Sequence, residues 1–226
     1  MTKLNHLAII MDGNRRWARK RGLSTYEGHY RGYEKVLALA DWTIKAEIKI
    51  VSVYAFSTEN WNRPLNEVRY LIKLAKLIFE KHRQEFNDKG VKILVSGLKD
   101  RLDKDLIKLI DQSEKLTKNN SKLILNICFN YGGRQEILEA VKKIIKNKIP
   151  VNKLSQELFR QYFFHDLPDP DIIVRTSGEQ RLSNFLIWQS AYSELYFLKK
   201  YWPDFSENDL KQIINIYKKR QRRFGG

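Results

Sequence analysis

Short apolar runs alternate with longer amphipathic stretches along this chain. Apolar runs of this length are typical of buried strands. They predict strands at residues 7–11, 50–56, 91–95, 123–129, 171–174 and 195–197. Because strands alternate with helices throughout, we predict an α/β fold: a single domain over residues 1–226, with a mostly parallel central sheet of about six strands flanked by helices.

The amphipathic stretches predict the helices between these strands. Apolar residues recur at helical spacing over residues 33–44, 68–86, 102–116, 135–146 and 206–217, as they do in helices that bury one face. The longest stripe, 68–86, is predicted as one helix that begins after Pro64 and ends at Gly90. Residues 154–164 and 185–188 are predicted as two further helical segments.

Polar and basic residues directly follow four of the predicted strands. These clusters lie at residues 12–17, 57–63, 130–134 and 175–183. Ligands of parallel α/β sheets bind at the carboxyl ends of the strands. We therefore expect the four clusters to converge on one site.

The residue types in these clusters are typical of a site for phosphate and a cation. Asp12, with Glu194 as a second carboxylate, is a candidate Mg²⁺ ligand alongside substrate phosphates. Taken alone, an arginine is usually an ordinary surface residue, so the shared position after strands is what favours the phosphate hypothesis. The arginines whose planar donor forks suit phosphate oxygens are Arg15, Arg16, Arg63, Arg175 and Arg181.

The chain is strongly basic. It carries 42 Lys and Arg against 26 Asp and Glu, a net charge of +16. This charge favours anionic partners: nucleic acid, a membrane surface or phosphorylated substrates. Lysines spread along helices are also what a genome biased toward Lys, Ile and Asn would produce, so both interpretations stay open. A basic nucleic-acid-binding protein is the rival hypothesis to an enzyme.

Other bulk features bear on location. No apolar run approaches the ~20 residues of a membrane-spanning helix. The first predicted strand begins within about five residues of Met1, which we expect to leave no room for a signal peptide. The single cysteine, Cys128, lies in an apolar run and is expected to be buried, with no intrachain disulfide. These features predict a cytoplasmic protein.

Several common site signatures are absent from the sequence. It contains neither G-x-G-x-x-G nor G-x-x-x-x-G-K-[ST], so dinucleotide and P-loop hypotheses lack support. It also has no His/Cys cluster with zinc spacing and no G-x-S-x-G nucleophile elbow.

Five segments, in order, resemble the cis-prenyltransferase family, and within it the bacterial undecaprenyl diphosphate synthases, also called isoprenyl transferases. The segments are HLAIIMDGNRRWA, YAFSTENWNRP, LNICFNYGGR, DIIVRTSGEQRLSNFLIWQSAYSELYF, and the closing WPDF with RRFGG. They extend over nearly the whole chain, which makes the resemblance specific.

The resemblance implies a reaction and a cofactor. Family members condense an allylic diphosphate, here expected to be farnesyl diphosphate, with successive isopentenyl diphosphates, forming cis double bonds with Mg²⁺ as cofactor. The expected product is a long-chain polyprenyl diphosphate. Undecaprenyl diphosphate, the lipid-carrier precursor for cell-wall synthesis, is the expected chain, although the residues themselves do not specify product length or primer.

The resemblance also implies residue roles. Asp12 engages Mg²⁺ and the allylic diphosphate, Glu194 helps to hold the metal, and Asn60 is assigned to the proton-abstraction step. Because an amide is barely basic, we expect Asn60 to orient a water or a phosphate oxygen that takes the proton. The residues implied to bind substrate are Gly13, Asn14, Arg15, Arg16, Trp17 and His29 for the allylic diphosphate and its prenyl chain, Ser57, Thr58, Glu59, Trp61 and Arg63 at the border of the site, and Arg175, Arg181, Leu182 and Ser183 for isopentenyl diphosphate.

A growing prenyl chain needs room, so the resemblance implies a hydrophobic tunnel between sheet and helices. The 68–86 stripe facing residues 123–129 is the candidate wall, and plain core packing of the same residues stays an open alternative. The resemblance also implies a homodimer, in which Arg223-Phe224-Gly225 reaches the neighbouring subunit's site. A basic protein with a lipid product is further expected to touch the inner face of a membrane peripherally at most, with no nucleic-acid partner.

Two positions depart from the family's pattern. Gln180 stands where many bacterial members carry a histidine tied to metal binding, and Thr25 where many carry a substrate-contacting arginine. A metal role at Gln180 and a charge contact at Thr25 are therefore in doubt.

A third hypothesis is a non-catalytic partner subunit of a heteromeric enzyme. Such a subunit is expected to lose Asp12 and the Asn60-Trp61 pair, and this chain keeps both.

Overall fold

The computed structural model describes residues 3–219, and the strands in this range form one six-stranded sheet of order β3-β4-β2-β1-β5-β6. Every neighbouring pair is parallel, which confirms the predicted fold class. The strands are β1 (His6–Ile10), β2 (Ile50–Ser57), β3 (Val91–Ser96), β4 (Leu123–Tyr131), β5 (Ile172–Arg175) and β6 (Glu194–Phe197).

Helices connect and cover the strands. They are α1 (Asn14–Lys20), α2 (Thr25–Lys45), α3 (Leu65–Lys81), α4 (Arg83–Asp88), α5 (Lys104–Thr117), α6 (Gly133–Lys146), α7 (Gln156–Arg160) and α8 (Glu207–Lys219), with short 3₁₀ turns at Thr58–Asn62, Val151–Lys153 and Trp202–Asp204. Within residues 3–219, no helix combines the length and the apolar character that crossing a membrane requires.

The predicted long helix over residues 68–86 is two helices. α3 ends at Lys81 and α4 begins at Arg83. His82, with φ of −106°, leaves ideal helical geometry, and its Nδ1 lies 2.8 Å from Oε2 of Glu85 in the first turn of α4. The apolar stripe continues across this break, which is why the sequence pattern does not reveal it.

Two other predicted helices are shortened or absent. Only Gln156–Arg160 is helical within the 154–164 segment. The 185–188 segment forms turns, because Asn184 and Leu186 adopt positive φ values of 67° and 44°, which a right-handed helix does not contain.

Alternating side chains build a core on each face of the sheet. On β1, Leu7 and Ile9 join the larger cluster, which includes residues of α2, α3, α5 and α8. Ala8 and Ile10 join a smaller cluster on the opposite face. Cys128 belongs to this smaller cluster and is a buried free thiol, as predicted.

A chain of buried polar side chains crosses four neighbouring strands. Nδ1 of His6 lies 2.6 Å from the Pro168 carbonyl oxygen, so this nitrogen carries the proton and Nε2 accepts from the Ser52 hydroxyl at 2.8 Å. Asn126 donates to Ser52 Oγ at 3.0 Å and accepts from the Ser96 hydroxyl at 2.8 Å. The bond from the Ser52 hydroxyl to Nε2 requires neutral His6. Burial lowers the pKa of His6 to about 4, and the hydrogen bond to the Pro168 carbonyl offsets only part of this effect.

Acidification from pH 6.5 to pH 4 is expected to lower the free energy of unfolding by about 3 kcal/mol through His6 alone. In the unfolded chain a histidine protonates near pH 6.5, whereas in the fold His6 stays neutral down to about pH 4. The stabilisation is therefore complete above pH 6.5 and is lost as the pH falls through this window. Denaturant titrations of the wild type and His6→Gln at a series of pH values measure it.

The stability gap between the wild type and His6→Gln should shrink by that amount across the window. Ser96→Ala removes a hydroxyl from the same chain of buried polar side chains but no titratable group, so it should keep the wild-type pH dependence and is the matched control. A gap that stays constant with pH would contradict the assignment to His6.

Candidate active site

A cleft of about 1170 Å³ lies at the carboxyl ends of β1, β2 and β5. Because β1 lies between β2 and β5, the segments that follow these parallel strands meet at one edge of the sheet. Three of the four predicted clusters converge there. The predicted site residues that line the cleft are Asp12, Gly13, Asn14, Arg15, Arg16, His29, Ser57, Glu59, Asn60, Arg63, Arg175 and Ser183.

Asp12 is held by its backbone and by its carboxylate. Its N–H donates to Thr176 Oγ1 at 2.9 Å, and its carbonyl accepts from the Thr176 hydroxyl at 2.7 Å and from the Trp202 N–H at 3.0 Å. Its Oδ2 accepts from Arg175 at 2.8 Å, and its Oδ1 lies 3.2 Å from Arg16. Burial raises the pKa of the Asp12 carboxyl, but the two guanidiniums outweigh burial and hold the pKa below its ordinary value.

Arg175, the last residue of β5, is 5% exposed and joins two parts of the cleft. While Nη2 binds Asp12, Nη1 donates to the Arg181 carbonyl at 2.6 Å and to the Ser183 hydroxyl at 2.7 Å. The 176–183 loop curls around this guanidinium with positive φ at Ser177 and Ser183. One buried side chain thus orients Asp12 and the loop that follows β5.

Arg16 ties α1 to the same loop. It donates to Glu179 Oε1 at 2.7 Å and to Ser177 Oγ at 2.6 Å. The close approach of this part of the chain to Ser177 and Tyr201 depends on Gly13, whose φ of 106° favours glycine. A Cβ at Gly13 would lie only 2.6 Å from Cδ1 of Tyr201.

Asn14, the first residue of α1, packs directly on α2. A Cβ at Gly28 would lie 2.3 Å from the Asn14 carbonyl oxygen, and one at Gly32 would lie 2.7 Å from Asn14 Oδ1. These two glycines let the helices approach closely. The start of α1 therefore stands at a set distance from His29, which lies between the two glycines on α2.

Glu67 is a buried carboxylate that the sequence analysis missed. It is 6% exposed on α3. Its Oε1 lies 3.1 Å from Nε2 of His29 and accepts from Arg63 at 3.0 Å, and its Oε2 lies 4.0 Å from Arg15. Glu67 thereby holds one side of the cleft together. The spacing of four residues between Arg63 and Glu67 was the available signal.

The loop after β2 is braced by its own polar side chains. Ser57 and Asn60 form a capping box: the Ser57 side chain accepts from the Asn60 N–H, and Asn60 Oδ1 accepts from the Ser57 N–H at 3.2 Å. The amide oxygen of Asn60 therefore stabilises the loop through its bond to the Ser57 N–H.

Two asparagines connect loops at the cleft: Asn184, which was missed, and Asn130, which belongs to the predicted 130–134 cluster. Asn184 donates to Glu59 Oε1 at 2.9 Å and accepts from the Arg134 N–H at 2.9 Å. Asn130, with φ of 50°, accepts from the Trp61 indole N–H at 2.8 Å and donates to the Leu98 carbonyl at 2.9 Å. The 130–134 cluster thus supports the cleft from behind. Positive φ at asparagine gives no recognisable sequence signal here.

Both predicted tryptophans lie outside the lining of the cleft. Trp17 is buried, and its indole N–H donates to Asp204 at 2.7 Å. Trp61 donates to Asn130, and the Arg101 guanidinium lies 4.4 Å from its ring centroid. Trp17 was predicted to touch the prenyl chain, but its helix turns the indole toward the Trp202–Asp204 turn instead.

Three other predicted residues border the cleft without lining it. Thr58 has its hydroxyl oxygen buried with no hydrogen-bond partner among the described residues. Leu182 packs on the smaller core cluster. The exposed Arg181 forms an ion pair with Glu179, and its carbonyl binds Arg175.

Glu194 is not near Asp12 within one chain. Strand register pairs Glu194 with Ile172 at the amino end of β5, and its N–H donates to the Asp171 carbonyl at 3.0 Å. Asp12 instead follows the carboxyl end of β1. The hypothesis that these two carboxylates share one Mg²⁺ is therefore wrong for a single chain.

The remaining predicted positions have simple locations. Thr25 is the first residue of α2 and lines the cleft, and Gln180 is exposed in the 176–183 loop. The Arg223-Phe224-Gly225 segment lies outside the described residues.

An apolar cavity of about 80 Å³ adjoins the cleft between α2, α3 and the sheet. The predicted wall supplies much of its lining. One water molecule in the liquid takes up about 30 Å³, so the cavity has room for a short apolar segment. The residues that line both the cavity and the cleft are Met11, Asn14, His29, Tyr54, Ala55 and Leu71, and the wall residues are Leu74, Ala75, Ile78, Phe79, Ile127 and Phe129.

Comparison with known proteins gives one consistent family. A family model described as "Putative undecaprenyl diphosphate synthase" matches residues 10–225. The isoprenyl transferase of Thermotoga maritima is 48% identical over 224 residues, covering 98% of this chain and 96% of that protein. The Micrococcus luteus protein named ditrans,polycis-undecaprenyl-diphosphate synthase ((2E,6E)-farnesyl-diphosphate specific) is 43% identical over 226 residues, covering 98% and 91% of the two chains.

Solved structures agree with this grouping. Lavandulyl diphosphate synthase from Lavandula x intermedia, solved with dimethylallyl diphosphate, superposes with a TM-score of 0.94 at 32% identity, over 99% of each chain. A Campylobacter jejuni structure titled "probable undecaprenyl diphosphate synthase" superposes with a TM-score of 0.85 at 32% identity, over 100% of each chain.

Proposed function

The chain belongs to the undecaprenyl diphosphate synthase family of prenyltransferases, and from that membership we propose that it condenses an allylic diphosphate with successive isopentenyl diphosphates. The observation that carries the proposal is the junction of two compartments. A cleft with a clamped carboxylate and several arginines shares six lining residues with an apolar cavity behind it. A substrate with a diphosphate head and a prenyl tail matches this junction.

Arginine side chains and the start of α1 account for binding of the allylic diphosphate. Arg15 and Arg63 line the cleft next to Glu67, and backbone N–H groups in the first turn of a helix face outward without intrahelical acceptors. Together with Gly13 and Asn14 they can surround an anion at this point. The departing diphosphate takes the electron pair of the breaking carbon–oxygen bond, and positive groups there stabilise its developing charge.

Asp12 fits the demands of Mg²⁺. Mg²⁺ usually binds one or two carboxylates together with substrate phosphates, and no group of three or more His, Cys, Asp or Glu side chains in residues 3–219 forms a self-sufficient metal site. Asp12 is the carboxylate at the cleft that would hold the ion. When bound, Mg²⁺ would neutralise charge on the departing diphosphate. The low pKa of Asp12 keeps it ionised for this role.

The loop after β5 accounts for the second substrate. Ser183 lines the cleft, Arg181 lies at its border, and Arg175 holds both in place. Isopentenyl diphosphate, held here by its diphosphate group, would present its isopentenyl group to the allylic carbon. The new carbon–carbon bond forms as a proton leaves the isopentenyl unit. Asn60, braced by Ser57, would orient a water or phosphate oxygen that accepts this proton.

The product chain would extend from the apolar cavity. The cavity holds only a short segment, so elongation requires that α2, α3 and the sheet separate further or that side chains such as Leu74 and Ile78 change rotamer. Farnesyl diphosphate as primer and undecaprenyl diphosphate as product follow the name of the Micrococcus luteus relative, and we propose that this product is the lipid-carrier precursor for cell-wall synthesis.

We also propose a homodimer that works in the cytoplasm. β6 forms one edge of the sheet, and Trp188, Tyr192 and Leu195 in and before it are exposed by 37%, 74% and 38%. An exposed strand edge with apolar neighbours is suited to association with a second chain.

Incubation with farnesyl diphosphate, labelled isopentenyl diphosphate and Mg²⁺ tests the activity. We expect a polyprenyl diphosphate that chromatography resolves by chain length, and no product when EDTA removes the metal. Absence of any prenyl product with Mg²⁺ would overturn the proposal. Product formed equally with EDTA would overturn only the metal's role. RNA added as a competitor should not change turnover.

A further inference from the structure

Exposed apolar and aromatic side chains lie beside the cleft, on the outer surface of α2 and α3 and at Leu23, which precedes α2 and lines the cleft. Leu23, Tyr26 and Tyr30 are 43%, 41% and 38% exposed. Tyr26 and Tyr30 lie one turn apart on the same side of α2, and the ring of Tyr26 lies 4.8 Å from that of Tyr70 on α3. We call these four residues the tyrosine face.

Positive charge borders the tyrosine face. Arg19 and Lys20 are exposed in the last turn of α1, next to Leu23. Arg69 and Lys73 are exposed on α3, immediately before Tyr70 and about one turn after it. The acidic side chains on this part of α2, Glu27 and Glu34, both bind Arg31. The rim is therefore basic overall.

The tyrosine face is the outer side of the wall around the apolar cavity. Tyr33 and Val36 of α2 and Leu71 and Leu74 of α3 line that cavity. The ring of Tyr33 lies 5.7 Å from that of Tyr30, so a single layer of side chains separates the cavity from the surface. Whatever the tyrosine face binds lies close to an apolar tail inside the cavity.

Tyrosine and basic side chains have a common preferred environment. Tyrosine rings favour the interface of a bilayer, where one end is apolar and the other is hydrated. Lys and Arg next to such a surface are attracted by anionic lipid headgroups. A polypeptide partner would satisfy the apolar groups as well, but the basic rim around them favours an anionic surface.

We propose that the tyrosine face docks this protein on an anionic lipid bilayer, next to the compartment that holds its prenyl product. The inference deepens the proposed function and rests on it for the identity of that product. Docking there would let a polyprenyl tail pass from between α2 and α3 into lipid with little exposure of apolar surface to water.

A site-specific fluorescent label tests the location. Cys128, the single cysteine, is buried and burial raises the pKa of its thiol, so a thiol reagent should label an introduced surface cysteine selectively. Tyr26→Cys and Tyr30→Cys place an environment-sensitive dye on the tyrosine face. Val151→Cys, at a position 83% exposed after α6, is the matched control on the other face of the sheet.

Phosphatidylglycerol vesicles should raise and blue-shift the fluorescence at positions 26 and 30 but leave position 151 unchanged, and pure phosphatidylcholine vesicles should have little effect. In the unlabelled protein, Lys20→Gln and Lys73→Gln should each weaken sedimentation with phosphatidylglycerol vesicles about fivefold, and added salt should weaken it further.

Equal changes at all three positions, or a change at position 151 alone, would overturn the proposal. So would a signal at positions 26 and 30 that depends on protein concentration without vesicles, because that marks contact between two copies of the chain. Turnover of the same variants in detergent separates the two claims: turnover without vesicle binding refutes docking alone, and vesicle binding without turnover refutes the proposed function alone.

Discussion

Asp12→Ala is expected to lower turnover by about 10³-fold or more while the protein still folds. The carboxylate is the group at the cleft that would hold the metal, and several kcal/mol of charge stabilisation depend on such an ion. The contacts that hold the end of β1 come from the Asp12 backbone to Thr176 and Trp202. Alanine keeps all of them.

The structural cost of Asp12→Ala arises mainly at Arg175. Its buried guanidinium loses one acceptor but keeps the Arg181 carbonyl and the Ser183 hydroxyl. Removing one partner of a buried pair costs roughly 3–5 kcal/mol, and the two remaining acceptors favour the lower end, about 3 kcal/mol, against a typical total stability of about 5–15 kcal/mol. Labelled-substrate turnover measures the first effect, and circular dichroism with thermal melting measures the second.

Two companion variants sharpen the Asp12 experiment. Asp12→Asn keeps the shape and an acceptor oxygen but removes the charge, so it should be nearly as inactive as alanine if the charge matters. Glu179→Gln removes the other carboxylate that binds Arg16 and should retain most activity. Near-wild-type turnover in Asp12→Ala would refute the role given to this residue.

Arg175→Met is expected to impair both turnover and stability. The side chain keeps its approximate length but loses the donors to Asp12, to Arg181 and to Ser183. Removing one partner of a buried pair costs roughly 3–5 kcal/mol, and we expect the lower end, about 3 kcal/mol, since Asp12 also contacts Arg16. Turnover should fall by about 10²–10³-fold, because the loop for the second diphosphate loses its anchor.

The pH dependence of the residual Arg175→Met activity is a further readout. Burial raises the pKa of Asp12, and Arg175 is the main group that offsets it. Without Arg175, the pKa of Asp12 should rise, and the acidic limb of the pH–rate profile should move to higher pH. Arg181→Met, at a mostly exposed side chain, is the matched control: it should raise KM for isopentenyl diphosphate without a loss of stability. An unshifted acidic limb in Arg175→Met would contradict the pairing.

Much of the fold could be predicted from local pattern. The buried strands carry continuous apolar runs, and the parallel sheet follows from their alternation with helices. The errors occurred where a local pattern has two structural outcomes. The apolar stripe of 68–86 continues across the break at His82, and residues 185–188 look helical although Asn184 and Leu186 adopt positive φ.

Some residues of the candidate site could likewise be predicted from local pattern, and others could not. Asp12, Arg16 and Arg175 could be predicted because each lies at or shortly after the carboxyl end of a strand, and these ends converge in a parallel sheet. Glu67 was missed although Arg63 lies four positions before it, because its other partner, His29, is 38 positions away. The sequence could not show that Trp17 lies outside the lining of the cleft or that Glu194 lies away from Asp12. The direction of an indole and the register of an edge strand depend on packing.

The opening segment shows where the boundary lies. By itself the sequence determines that an apolar strand ends in Asp12, Gly13 and two arginines, since apolar runs, turn residues and charges are local properties of the chain. Only the tertiary structure decides that Asp12 is clamped by Arg175, 163 positions away. A contact across that separation depends on strand order and register, which are set by the packing of the whole sheet.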